Sequence, residues 1–94
     1  MKITRKATFD GGIFEVFNDK GVNIGEMTFV NDRDDIIIIN HTGVRPEYEG
    51  LGIGKDLVME GVKYAREHSL KIVPMCSFAK VIFQRYDDIK DVLK

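Results

Sequence analysis

Two-residue alternation of apolar and polar positions dominates the first half of the chain and predicts β-structure. Lys2 to Phe9 forms a first strand with Ile3 and Ala7 on one face, and Asp10-Gly11-Gly12 supplies a hairpin turn. A second strand, Ile13 to Phe17, mixes aromatic and β-branched residues; Asn18-Asp19-Lys20-Gly21 turns the chain back into a third, Val22 to Val30. In that strand Val22, Ile24, Met27 and Phe29 are the apolar positions, and Gly25 marks a bulge. After the turn at Asn31-Asp32-Arg33-Asp34, the run Ile36-Ile37-Ile38-Ile39 puts isoleucine on both faces, as a central strand buried on both sides requires.

The period changes after Val44. From about Leu51 to His68, residues Leu57, Val58, Gly61, Val62 and Ala65 fall on one helical stripe, while Lys55, Glu60, Lys63, Arg66 and Glu67 fall on the solvent side. Gly61 within the stripe costs about 1 kcal/mol relative to alanine, which predicts a close approach to a strand. Ser69 ends the helix and Leu70 to Cys76 reads as a further strand, parallel to the one that delivers Val44 because a helix joins them. Pro74 cannot donate to a ladder, so it requires a gap or an edge. Ser77 is placed to N-cap a short helix through about Gln84, with Phe78, Val81, Ile82 and Phe83 as its apolar face. Asp87 caps a last turn carrying Ile89, Val92 and Leu93. The expected class is α+β: mainly antiparallel N-terminal strands, a crossover helix, then a parallel strand and short C-terminal helices. The 94 residues suit one domain over 1–94.

Between the isoleucine strand and the long helix lies Val44-Arg45-Pro46-Glu47-Tyr48-Glu49-Gly50-Leu51-Gly52-Ile53-Gly54-Lys55. Glycines at alternate positions let backbone amides approach an anion, and the opening helix adds unpaired donors and its positive dipole end. That arrangement asks for a phosphorylated ligand. The Walker spacing fails, since Glu49 stands at the first glycine position and Asp56 follows Lys55. The dinucleotide fingerprint fails as well, because Gly50, Gly52 and Gly54 are evenly spaced.

The stretch resembles the acetyl-CoA motif of the GNAT N-acetyltransferase superfamily, V-x-P-x-[YF]-[RQ]-G-x-G-[IVL]-[GA] followed by a helix. Val44, Pro46, Tyr48, Gly50, Gly52, Ile53 and Gly54 match it, and Glu49 departs from the usual Arg or Gln. The order of strands, crossover helix and final strand extends the resemblance over most of the chain. Full-size members carry two helices between their first two strands and extra C-terminal strands, so this chain is similar to an abbreviated branch. Small members of that branch have a His-Thr-x-Val and a Pro-x-Cys-Ser-[FY] strand end, matched by His41-Thr42-Gly43-Val44 and Pro74-Met75-Cys76-Ser77-Phe78. The resemblance implies a GNAT-like mixed sheet in which the two parallel strands splay apart to admit the pantetheine arm.

Fourteen basic against fifteen acidic residues give a net charge of −1 without a basic block, which argues against nucleic acid as a partner. The Ile36–Ile39 run is too short to span a membrane, and Asp10-Gly11-Gly12 interrupts any signal-peptide core after the basic start, so a cytoplasmic location is expected. The single cysteine, Cys76, excludes an intramolecular disulfide. No Cys/His cluster has zinc spacing, so no metal is expected.

The resemblance implies acetyl-CoA as cosubstrate and an amine of a small molecule, peptide or protein as acceptor. A non-catalytic CoA-binding module, or a partner-binding domain, is the alternative reading, because Glu49 sets a carboxylate beside the pyrophosphate position and the usual acceptor walls are short. Completion of the acceptor site by another chain, in a homodimer or with a partner protein, stays open. The cofactor-binding candidates are Val44, Arg45, Gly50, Leu51, Gly52, Ile53, Gly54 and Lys55, with Lys80 and Arg85 as further cations. An acceptor ammonium must lose a proton, and imidazole is the side chain that ordinarily titrates near neutrality, which makes His41 the candidate base. Its Cα is roughly 10 Å from the motif start at strand rise. Cys76 ends the strand across the splay; it either takes the acetyl group covalently, its thiolate favoured by the helix N-terminus, or lines the pocket. Tyr86 either gives a proton to the departing thiolate or packs under the last turn.

Overall fold

Alternation in β2 (Gly11–Phe17) buries Phe14 and Val16 and leaves Ile13, Glu15 and Phe17 partly exposed, so one face of the sheet belongs to the core. The computed structural model describes Met1 to Lys94 and arranges five strands in chain order across one sheet. β1 (Lys2–Ala7), β2, β3 (Asn23–Arg33) and β4 (Ile36–Val44) form an antiparallel meander, and β5 (Lys71–Pro74) pairs parallel to β4. Between those two runs α1 (Ile53–Glu67), and after them α2 (Ser77–Arg85) and a 3-10 segment, Asp87–Val92. This is the mixed α+β architecture expected.

The predicted helical stripe is the buried one. Leu57, Val58, Gly61, Val62 and Ala65 join Ile53 against Phe14, Met27, Phe29, Ile37 and Ile39 of the sheet in one core cluster. A Cβ on Gly61 would lie 2.8 Å from Met27 Cε, so this glycine marks the close helix-to-strand approach that its cost foretold. The bulge foreseen at Gly25 lies one residue away. Val16 pairs with Gly25 and Phe17 with Asn23, leaving Ile24 as the extra residue, whose carbonyl accepts the amide of Arg45 at 2.9 Å.

Several boundaries move. The first turn is at Thr8–Asp10, closed by Thr8 N–H donating to Gly11 O, and the two glycines lie inside β2. A Cβ on Gly12 would meet the Phe29 ring at 2.6 Å, so packing against β3 rather than turn chemistry requires it. β4 runs on to Val44, past a bulge that places Thr28 opposite His41 and Phe29 opposite Ile39. Cys76, not Ser77, is the N-cap of α2. The buried face of that helix is Ala79, Ile82 and Phe83, while Phe78 and Val81 are exposed. No helix is long and apolar enough to cross a membrane.

Candidate functional site

The β4–β5 ladder stops at Pro74. Paired positions run from Ile36 with Lys71 to Ile39 with Pro74; beyond them the amides of Met75 and Cys76 both donate to Ile39 O, at 2.9 and 3.2 Å. From Asn40 onward β4 keeps only its β3 partner. The missing donor of proline coincides with the last rung, and the strands part there. A cleft of about 520 Å³ opens in the gap. Thr42, Gly43 and Val44 form one wall, the glycine loop its end, and Phe78, Ile82, Arg85 and Tyr86 of the α2 region the other wall.

The loop geometry follows from its residues. Arg45 leads into a single 3-10 turn, Pro46–Tyr48, in which Tyr48 N–H donates to Arg45 O at 2.8 Å and Glu49 N–H to Pro46 O at 3.2 Å. Gly50 and Gly52 then adopt φ of 78° and 83°, the left-handed region that a side chain disfavours. Gly52 caps α1 with no side-chain oxygen, and the first helical bond runs from Asp56 N–H to Gly52 O at 3.0 Å. None of the amides from Gly50 to Lys55 donates to another group of the chain. Consecutive unpaired N–H groups at a helix N-terminus are an anion cradle. The Tyr48 hydroxyl accepts from Asn18 Nδ2 at 3.1 Å, which ties the loop to the β2–β3 turn.

The candidate residues divide around this cleft. Val44, Gly50, Gly52, Ile53, Gly54 and Lys55 line it, as does Glu49; Leu51 offers its amide while its side chain stands exposed. Lys55 Nζ lies 4.7 Å from the Tyr86 ring centroid, a cation–π contact that holds the ammonium beside the cleft, and Arg85 lines the opposite wall. Lys80 is not among the lining residues. Arg45 borders a second hollow, with Asn23, Gly25, Glu26, Gly43 and Val44. Gly43 and Val44 border both spaces.

Cys76 is half-buried. Its Sγ accepts the Ala79 amide at 3.4 Å, as the N-cap of α2, and lies 3.4 Å from Thr42 Oγ1. Two donors can therefore converge on the sulfur. His41 is exposed, and its Nε2 lies 2.9 Å from Glu26 Oε2 of β3. Met27, opposite Thr42, is in the core, so alternation sends Thr42 to the helix face and Glu26, Gly43 and His41 to the other. The structure thus places the two candidate reactive groups on opposite faces of β4 and does not bring them together.

Sequence reasoning missed three contributors. Glu26 is brought to His41 only by the β3–β4 register, and Thr42 to Cys76 only by the crossover. Phe78, expected on the apolar face of α2, covers the start of α1 with its ring, where a Cβ on Gly54 would meet it at 2.7 Å. No local pattern signals Glu26, and the strand-end patterns that contain Thr42 and Phe78 do not show what those side chains touch.

Comparison with known proteins agrees with this geometry. The family model described as GCN5-related N-acetyl-transferase matches residues 13–92. No curated protein sequence matches the chain. The solution structure of a GCN5-like protein from Staphylococcus aureus is similar at 35% identity, covering 97% of this chain and 87% of that one, with a TM-score of 0.75. Two crystal structures share the fold at lower identity. A GNAT acetyltransferase from Elizabethkingia anophelis with acetyl-CoA bound is 18% identical, with a TM-score of 0.69 over 82% of this chain and 53% of its own. YhbS from Escherichia coli, in complex with CoA, is 22% identical, with a TM-score of 0.63 over 70% of this chain and 40% of its own. Parted parallel strands, a glycine-rich loop with free amides and a family match over nearly the whole chain lead to one conclusion: the chain belongs to the GCN5-related N-acetyltransferase family.

Proposed function

We propose that the chain binds acetyl-CoA in the β4–β5 cleft and transfers the acetyl group to an amine of a small molecule, peptide or protein. The observation that carries this reading is the row of unpaired amides from Gly50 to Lys55 at the head of α1, beside a β4 strand with one edge free. The amides would hold the pyrophosphate, Lys55 and Arg85 would neutralise the remaining charge, and the free edge at Val44 would align the pantetheine arm. Hydrogen-bonding the arm along β4 directs the thioester toward Thr42 and the end of β5.

Two transfer routes are open to the residues there. In direct transfer the amine nitrogen attacks the thioester carbonyl, the C–S bond breaks, and His41 takes the proton that the ammonium must shed. In the relay route the Cys76 sulfur attacks first and CoA thiolate leaves; the amine then attacks the acetyl-cysteine and the sulfur departs. His41 and Cys76 lie on opposite faces of β4 and neither is among the residues that line the cleft, so direct transfer would call on the one and the relay on the other.

Glu49 favours a second reading. Its exposed carboxylate borders the cleft, where it repels a pyrophosphate, as in a module that recognises CoA weakly and transfers nothing. Incubation with acetyl-CoA and a panel of spermidine, a lysine peptide and a peptide with a free N-terminus separates the two. Release of CoA thiol with acetylation of one amine is the expected result. Saturable binding with no transfer to any amine supports the binding module.

A further inference from the structure

The His41–Glu26 pair sits where a stability role is weak and a positioning role is specific. Both side chains are well exposed, 56% and 36%, and an exposed pair contributes little to folding. Yet the chain makes room for it. A Cβ on Gly43 would lie 2.6 Å from Glu26 Oε2 and 3.1 Å from His41 Nε2, so only glycine lets the two groups meet flat over β4. Gly43 borders the cleft on one side and the hollow containing Glu26 on the other.

From this geometry we infer that Glu26 is a positioning residue that fixes the tautomer and orientation of His41 for proton transfer. The inference rests on the reading of His41 as the acceptor's base. The Glu26 carboxylate can only accept, so the His41 nitrogen facing it, Nε2, carries the proton. Nδ1, which bonds to nothing in the chain, is then the lone-pair nitrogen. It takes the proton from the acceptor ammonium to give imidazolium, and returns it to solvent after transfer. The same carboxylate stabilises that cation. Glu15 stands directly across the β2–β3 pair from Glu26 but is engaged elsewhere: Oε2 accepts from Asn23 Nδ2 at 2.7 Å, and Oε1 lies 3.0 Å from Lys6 Nζ. Glu26 is therefore left to His41.

The test is nitrogen-15 NMR of the His41 ring, read alongside steady-state kinetics with the best amine of the panel above. The wild type should show Nε2–H with a bare Nδ1. Glu26→Ala should lose this bias, and so should Gly43→Ala, whose methyl displaces the flexible end of Glu26 without removing either partner. Glu26→Gln, which keeps an accepting oxygen, should restore it. In kinetics Glu26→Ala should lower kcat about tenfold, part of the roughly 10²–10⁴-fold that a general base supplies, with KM for acetyl-CoA unchanged and only partial recovery in Glu26→Gln, which keeps the accepting oxygen but not the charge. A ring tautomer that is the same in wild type and Glu26→Ala overturns the positioning role, whatever the rates. A fixed tautomer with full activity in His41→Ala overturns the base reading itself, and Glu26's role with it.

Discussion

The sulfur of Cys76 lies 3.4 Å from the hydroxyl of Thr42, a contact that spans the point where β4 and β5 have just parted. It joins the second residue past β5 to a β4 residue 34 positions earlier, at the cleft wall. The same sulfur caps α2 through the Ala79 amide. Any variant at position 76 therefore acts on two properties at once.

Cys76→Ala and Cys76→Ser separate those properties. Alanine removes the cap and should cost about 1 kcal/mol of stability, whereas serine keeps a capping oxygen and should stay close to the wild type in thermal melts. Neither can form the thioester. In the relay route an acetyl adduct seen by intact mass after incubation with acetyl-CoA is lost in both, and turnover falls with it. Full turnover in Cys76→Ser assigns the cysteine to packing and capping alone.

His41→Ala tests the base. The variant should lose about a hundredfold in kcat, within the range that a general base supplies. An unchanged kcat removes His41 from the reaction.

Gly52→Val addresses the loop. The backbone there has φ of 83°, and a Cβ would meet nothing within 4 Å, so the cost is conformational, about 1–2 kcal/mol, without a packing clash. The fold should survive by circular dichroism. Binding of CoA should not, because the side chain stands in the approach to the amides. Wild-type affinity in a folded Gly52→Val would remove the cradle.

At the far end of the molecule Arg66 on α1 holds Asp91 of the C-terminal 3-10 segment, with bonds of 3.0 and 2.7 Å to its two oxygens. The hydrogen bond from Arg66 keeps the Asp91 carboxyl below the usual carboxylate range, and the Arg66 guanidinium is correspondingly raised. A depressed carboxyl contributes stability that is present above the unfolded value, near pH 4, and is lost as pH falls through the folded one. The melting difference between wild type and Arg66→Ala should therefore be small at neutral pH and shrink in acid, where only the Arg66 bond to Asp88 O, at 2.8 Å, is left. A difference that grows on acidification contradicts the assignment.

How far the sequence carried these conclusions depended on the range of the forces involved. Periodicity reports local burial, so the α1 stripe and the glycine loop were legible from single segments, whereas the isoleucine run suggests burial on both sides and only Ile37 and Ile39 join the core cluster, with Ile38 partly exposed on the other face. Pro74 was legible for a related reason: a missing donor constrains its own position, and the ladder ends there. What could not be read depends on register. Whether Gly11 and Gly12 turn the chain or pack against Phe29 depends on β3, and the Glu26–His41 pair exists because a bulge between Ile39 and His41 sets Thr28 opposite His41. The cap of α2 moved by one residue because a thiol, a poorer acceptor than the neighbouring hydroxyl, occupies the position with extended backbone. Phe78 stands outside the buried face because α2 turns its Ala79 side inward.

The amides of the glycine loop are the proposed seat of the pyrophosphate, and an amide-resolved NMR titration with CoA reads them one by one. The largest shifts are expected at Gly50, Leu51, Gly52, Ile53, Gly54 and Lys55, joined by Thr42, Gly43 and Val44 along the free edge of β4. No saturable shift at the loop, or binding centred on another surface, would contradict that assignment.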